Sequence, residues 1–441
     1  MLVSIHKHIF MTLLFLVFIP TGEAQEIWTL EQCIDTAKVN NKRLNMSERD
    51  IEIASERHAA SRAQLIPKIM VDADYKYFTD LPYQLMPLSV FGGPDGQFKE
   101  TQFGVPHNIS ANLQLSIPLY NPQIYGGIEA AEQGVKLREL MYQKTGEQVF
   151  FEVSNLYYNA QIITNNLAFL DSNIVNTERI LQNTMALAEQ MLAKQSDVSK
   201  IQLKLDQLNN QRNQTVSQYK QVMNALKFMI GIDFDRAIQV ESSFQLKSLQ
   251  EYEEKTTLDT QIAQTKLSLA TTELKIAKRS RLPSLSLFGS YGTTGFGYDQ
   301  EPNRFLNFYP IGFGGIRLTY PLFNGTITQR EINQKSIAEK NAKTQAKFAQ
   351  DESKLSFLNA RLKLNAAYAN TIQSAKQVDF AKEIFQQTFN EYKQETASFT
   401  ELLMSDSELQ QAQIEYLNAV IECLKADLSL KKLSGNFELN N

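Results

Sequence analysis

Very little in this chain could perform covalent chemistry. Beyond residue 24 there are two histidines, His58 and His107, far apart in sequence. An acid–base pair or a metal cluster needs such groups in a defined constellation. No HExxH, CxxC, GxSxG or phosphate-loop pattern occurs. His58 reads as a surface or packed residue of the first helix, and His107 as the start of a strand. Cys33 and Cys423 could bridge in an exported chain, but two cysteines are no disulfide framework. Cys423 falls on a helical seam and reads as core. The Gly- and Tyr-rich stretch GSYGTTGFGYDQ, Gly289 to Gln300, invites a ligand-loop reading. It reads better as a strand end running into a loop. No catalytic residue, cofactor site or metal site is expected.

What the chain does offer is charge at alternating positions. In Lys68 to Phe78, the apolar Ile69, Val71, Ala73, Tyr75 and Tyr77 alternate with Met70, Asp72, Asp74 and Lys76. In Asn108 to Leu119, Ile109, Ala111, Leu113, Leu115 and Ile117 alternate with Asn108, Ser110, Asn112, Gln114 and Ser116. Leu285, Leu287 and Tyr291 oppose Ser284, Ser286 and Ser290, with Phe288 breaking the polar face. Ile316, Leu318, Tyr320 and Leu322 oppose Arg317 and Thr319. Period two with one apolar and one polar face predicts four strands, at about 68–78, 108–119, 284–292 and 311–322. The polar face carries Asp72, Asp74, Asn112 and Arg317, which would line a lumen if the other face met lipid.

The start of the chain supports export. Lys7 precedes an apolar run, Ile9 to Pro20, and Gly22-Glu23-Ala24 offers small residues for cleavage. Residues 1–24 read as a secretory signal peptide, too short to span a bilayer. No later apolar run approaches the roughly 20 residues of a spanning helix, so the exported chain is soluble or crosses as a β-barrel. A net charge of -4 gives no bulk attraction to nucleic acid.

Proline marks the rest. Apart from Pro20, the twelve prolines lie between Pro67 and Pro122 or between Pro283 and Pro321. The two proline-free tracts are rich in Gln, Lys, Glu, Leu and Ala and can form very long helices. Val149, Val153, Leu156, Ala160, Ile163, Leu167, Leu170 and Ile174 keep alternating steps of four and three. Leu402, Ser405, Leu409, Ala412, Tyr416, Ala419, Cys423, Ala426, Leu430 and Leu433 do the same. Val198, Ile201, Leu205 and Leu208 share this register with Tyr219, Val222, Leu226 and Met229, across Arg212 and Thr215. That period predicts coiled-coil packing.

LSIPLYN at Leu115 returns as LTYPLFN at Leu318, and LKFMIG at Leu226 returns as LKKLSG at Leu430. The chain is an internal duplication, with repeats expected at 25–235 and 236–441. Each half reads helix, strand, loop, strand, long helix, turn, shorter helix. Single helices are expected over Leu30–Ile66, Ile124–Ala193, Val198–Ile230, Leu258–Leu282, Ile327–Glu395 and Thr400–Leu433. Four strands cannot close around a wide lumen, since small closed barrels need about eight. The chain must associate, and three copies give twelve strands. Pro118 and Pro321 are expected where a strand leaves the membrane, with Asn121 and Asn324 as turn or N-cap residues.

Together TLEQCIDTA (Thr29–Ala37), AQLIPKI (Ala63–Ile69), RLPSL (Arg281–Leu285), IPLYN and YPLFN, SDVSKIQLKL, TELLMSDSEL and the terminal LSG resemble the TolC-like outer-membrane efflux proteins. The similarity covers essentially the whole exported chain. It implies a mainly α protein with a membrane β-barrel. Three copies, four strands each, would form a twelve-stranded barrel on a long periplasmic helical tunnel. It implies a passive duct in the outer membrane of a Gram-negative bacterium. The duct would serve efflux or type I secretion and meet outer-membrane lipid. A periplasmic adaptor and an inner-membrane transporter would be its partners, with no role for nucleic acid. The reading from another class is an exported coiled-coil scaffold or adaptor with a small β-domain and no channel.

By position, the resemblance places Asp197 and Glu401 at the helix tips, where the family carries acidic gate residues. Three copies of a carboxylate facing a narrow lumen repel one another and attract cations. The competing reading is a helix N-terminal charge, with Ser196 or Asp197 as an N-cap. Gln195, Ser196, Ser398 and Phe399 fall where tips would meet the adaptor. Two departures stand out. A second acidic position falls at Met404, and the glycines that many relatives place before each tip fall at Met191 and Glu395.

Overall fold

The computed structural model describes residues 26–244, 251–298 and 307–435. The expected signal peptide, residues 1–24, lies outside them. The chain divides into two compact units, each drawing segments from both sequence halves. One comprises Met1–Glu48, Tyr142–Asp259 and Gln350–Asn441, as far as described; the other comprises Arg49–Met141 and Thr260–Ala349.

The first unit is helical. It holds β1 (Glu26–Trp28), α1 (Leu30–Asn40) and the start of α2 (Lys42–Ala63). It also holds most of α3 (Pro122–Glu189), then α4 (Gln195–Ile230), β6 (Ile238–Val240), much of α6 (Ile327–Lys393) and α7 (Phe399–Leu433). The long proline-free tracts are therefore helical nearly end to end. The expected seams are largely inside: Val149, Val153, Ala160, Leu402, Leu409, Ala426 and Leu430 are buried, as are both cysteines, which are free thiols. Thr215, expected to interrupt a seam, is buried, and its hydroxyl donates to the Gln211 carbonyl at 2.8 Å. A threonine bonded to its own helix can occupy a core position without leaving a polar group unpaired.

The first helix is not the single rod expected over Leu30–Ile66. It breaks at Asn41, whose backbone is extended (φ −67°, ψ 120°). The Asn41 side chain accepts from the N–H groups of Arg43 and Leu44 and donates to the Met229 carbonyl at 2.6 Å. A side chain that bonds the backbone of the next turn starts a new helix there. Beside the break, Gly231 ends α4 at φ +75°, and a Cβ there would lie 2.5 Å from the Asn40 carbonyl oxygen. Only glycine fits both the conformation and the space. Three-residue β1 and β6 pair in parallel nearby, and Tyr157 donates to the Trp28 carbonyl at 3.0 Å. Neither short strand is visible in sequence periodicity.

The second unit holds the strands: β2 (Lys68–Tyr77), β3 (Tyr83–Pro87), β4 (Phe98–Gln102), β5 (His107–Tyr120), β7 (Ser284–Gly297) and β8 (Asn307–Thr319). It also contains α5 (Leu258–Arg279), but for its first two residues, and the adjoining parts of α2, α3 and α6. Here α3 and α5 pack closely, since a Cβ on Gly126 would lie 2.4 Å from Ile276 Cγ1. The sheet is antiparallel in the order β2-β5-β7-β8.

Three expectations for the strands need correction. Pro118 does not end its strand; it pairs with Ser286, and the register shifts between Pro118 and Tyr120. Pairing with β2 stops at Ser116, so the missing N–H falls where the ladder is one-sided. Pro321 does follow a strand end, at Thr319. Next, β7 runs on to Gly297 and β8 begins at Asn307, through stretches whose glycines and proline suggested a loop. Large rings lie over those glycines: Tyr291 over Gly312 and Phe308 over Gly295. That cover replaces the missing side-chain contacts. Last, the loop expected between the first two strands, Thr79–Pro106, contains a hairpin of β3 and β4, with a 3₁₀ turn at Leu88–Phe91 between them.

Candidate functional site

Two places carry the expected functional residues: the faces of the sheet and the helix tips. In an antiparallel sheet, paired residues share a face. One face joins Ile69, Val71, Leu113, Leu115, Leu287, Ile316 and Leu318 and bears no Asp, Glu, Lys or Arg. The other bears Lys68, Asp72, Asp74, Lys76 and Arg317. Asp72 lies directly opposite Asn112, and Asp74 accepts from the Ser110 hydroxyl and pairs with Lys76 at 3.0 Å. Arg317 is apart from this group, on β8, six residues beyond Ile311, the residue in the row of Asp72. Its guanidinium sits 4.8 Å from the Phe288 ring centre.

The second face is not polar throughout. On β7 and β8 it carries Phe288, Phe296, Tyr309, Ile311 and Phe313. Phe288 meets Phe313 edge-on at 6.4 Å, and Phe296 lies 6.0 Å from Tyr309. Arg317 apart, the face thus divides into a charged half on β2–β5 and an aromatic half on β7–β8. The isolated break at Phe288 was the one sequence signal of this division.

The two tips are matching helix–turn–helix ends in the helical unit. Met191 (φ 60°) and Glu395 (φ 61°) both hold left-handed backbone, at the two positions where the family pattern placed glycine. Asp197 is the third residue of α4, paired with Lys200 at 3.2 Å. The N-cap of α4 is Lys194, so neither Ser196 nor Asp197 has that role. Gln195 and Ser196 are exposed. On α7, Ser398 is the N-cap and Glu401 completes a capping box: Glu401 N–H donates to Ser398 Oγ at 3.2 Å, and Ser398 N–H donates to Glu401 Oε2 at 2.7 Å. Hydrogen bonds from Ser398 to the Glu401 carboxyl, first from its backbone N–H and then from its side chain, hold that carboxyl below its ordinary range. Phe399 is half-buried on its own chain's cluster with Tyr392 and carries Lys200 5.7 Å above its ring.

Residues 33–232 match the family model described as outer membrane efflux protein. The chain is 20% identical to the outer membrane protein TolC of Salmonella enteritidis over 424 residues, covering 92% of this chain and 82% of that one. Its fold is similar to the outer membrane protein VceC from Vibrio cholerae, with TM-score 0.74 and 15% identity, covering 92% and 96% of the two chains. It is also similar to the open state of the MtrE outer membrane channel of Neisseria gonorrhoeae, with TM-score 0.72 and 17% identity, covering 92% and 88%.

Over residues 33–232 the chain matches the outer membrane efflux proteins, and over 92% of its length it has the fold of such a protein. It is an efflux channel of the outer membrane of a Gram-negative bacterium, with a periplasmic helical part. The scaffold reading is not favoured.

Sequence reasoning missed several buried polar groups of this efflux protein. Asp406 on α7 is almost fully buried; its Oδ2 accepts from Gln410 at 2.7 Å and lies 3.8 Å from Lys204 on α4. Burial pushes its carboxyl above the ordinary value, against the opposing pull of Lys204. Asn173 donates to Gln413 at 2.9 Å, and the hydroxyls of Thr184 and Tyr392 lie 3.1 Å apart. Asp406 was hidden because SDSEL reads as a polar surface run. Met191 and Leu192 at the first tip are strongly exposed, and so is Met404.

Left-handed backbone costs a non-glycine residue on the order of 1–2 kcal/mol. Met191→Gly and Glu395→Gly should each stabilise the protein by about 1 kcal/mol in denaturant unfolding. A carboxyl raised by burial stabilises the fold at low pH, below the ordinary value of 3.8, and loses that stabilisation as pH rises through the raised value. In the native protein this contribution should fade as pH rises above 3.8, and Asp406→Asn should remove that part of the pH dependence in denaturant unfolding followed against pH.

Proposed function

We propose that this efflux protein is the passive exit duct of a tripartite efflux or type I secretion system. It works as a homotrimer, linked by a periplasmic adaptor to an inner-membrane transporter, and it is a channel rather than an enzyme. One observation supports this most. The sheet has four strands, a face free of formal charge, and, among the described residues, no strand beyond β2 or β8. An open edge in hydrocarbon leaves N–H and C=O groups unpaired, at several kcal/mol each. Pairing β8 of one copy with β2 of the next removes every edge, and three copies supply twelve strands.

In that assembly the uncharged face meets lipid, while Asp72, Asp74, Asn112 and Arg317 line the lumen. Asp197 and Glu401 stand at the periplasmic tips as gate carboxylates. Glu401 is exposed at its tip, in the first turn of α7. Met404 leaves the next turn uncharged. Gln195, Ser196 and Ser398, together with Phe399, make the adaptor-facing end.

Protein extracted from outer membranes should have a detergent-corrected mass near three times the 50.2 kDa chain, less any signal peptide. Leu115→Arg should cost ~2–4 kcal/mol near the midplane and block assembly, whereas Gln114→Arg on the opposite face should assemble. A monomer, or equal effects of the two, would sink the barrel. In planar bilayers, Asp197→Asn with Glu401→Gln should lower the preference for cations over anions; unchanged selectivity would remove these residues from the gate.

A further inference from the structure

Two apolar surfaces at one end of the sheet are uncovered. The first is the aromatic half of the charged face: Tyr309, Ile311 and Phe313 on β8 are each at least half exposed. The second is the β3–β4 hairpin. Its pairing sets Tyr83, Leu85 and Phe98 on one face, all more than half exposed, beside Glu100 and Gln102, with Val90 and Phe91 also exposed in the turn between its strands. Both surfaces lie at the same end. The hairpin joins the end of β2 to the start of β5, and the aromatic row begins where β8 begins. Exposed apolar side chains grouped in this way among polar neighbours are ordinarily covered by a partner.

Lipid cannot cover the aromatic row, because Asp72, Asp74 and Arg317 share its face and a charge in hydrocarbon is costly. The copy's own hairpin leaves the row exposed. Among the described residues, strand order supplies the remaining candidate. If copies join β8 to β2, as the trimeric reading requires, the hairpin of the next copy springs from a strand about 4.8 Å from β8. Its five-residue strands span ~17 Å, enough to lie along the ~14 Å from Tyr309 to Phe313.

We propose that each copy's β3–β4 hairpin folds inward onto β8 of the neighbouring copy. It packs Tyr83, Leu85 and Phe98 on Tyr309, Ile311 and Phe313. Three inward hairpins narrow the mouth of the barrel at the end where β2 leads into the hairpin and β8 begins. The site is incomplete in one chain, because row and cover come from different copies.

The test uses the full chain in outer membranes with Leu85→Cys and Ile311→Cys combined. Both native cysteines are buried and do not compete. Mild oxidation should convert the denatured single-chain band into linked two- and three-chain species, and neither single variant should do so. A trimer of normal mass with no links, or a Leu85→Cys site labelled by a lipid-soluble thiol probe, would overturn the proposal. Replacing Tyr83–Gln102 by a short Ser-Gly turn should raise single-channel conductance; unchanged conductance in an assembled trimer would also overturn it. Absence of a trimer by mass would instead show that the barrel reading has failed, and this inference would fall with it.

Discussion

Backbone hydrogen bonding in a medium without water is the constraint on which this protein depends. A sheet can enter hydrocarbon only if every N–H and C=O group finds a partner within protein. One copy meets that demand along β5 and β7 but leaves β2 and β8 each with one bare side among the described residues. The sheet divides into one face free of formal charge and one face with five charged side chains, and in the proposed barrel the uncharged face is the one turned to lipid. Much else in the strand unit follows from keeping that sheet continuous. Pro118 sits where only one neighbouring strand remains, and rings lie over the glycines of β7 and β8.

The helical unit answers a different demand. A strict seven-residue repeat lets neighbouring helices slide by one repeat with little change in apolar contact. Buried polar pairs remove that freedom. Asn173 with Gln413 ties α3 to α7, Thr184 with Tyr392 ties α3 to α6, and Asp406 with Lys204 ties α7 to α4. Sliding either partner would leave a buried donor or acceptor without a bond, at about 1–3 kcal/mol. Asn41 does the same where α1 gives way to α2, since its amide satisfies the Met229 carbonyl. Specific register is thus held by a few polar contacts set in an apolar seam.

The tips combine strain with local stabilisation. Met191 and Glu395 hold left-handed backbone without glycine, and the second tip has a complete capping box in compensation. The first tip has no side-chain cap, and two exposed apolar residues, Met191 and Leu192, stand beside it. The two halves of the duplication have therefore diverged at their tips while their helices stay alike.

Composition and spacing alone determined the long helices, the four strands, the duplication and the two-faced sheet. These rest on short-range rules: proline exclusion, period two, and the seven-residue repeat. The tip positions Met191 and Glu395 came instead from the family resemblance, which puts glycine there; the structure shows that both are left-handed. Only the tertiary structure decided where a long-range partner overrides local preference. Asn41 lies in a good helical stretch, yet Met229, far away in sequence, gives its side chain a better use. GTTGFG and NFYP read as loop, yet rings from the facing strand hold them extended. Asp406 reads as surface, yet α4 and α7 bury it beside Lys204. In each case the deciding contact lies too far along the chain for any local pattern to record.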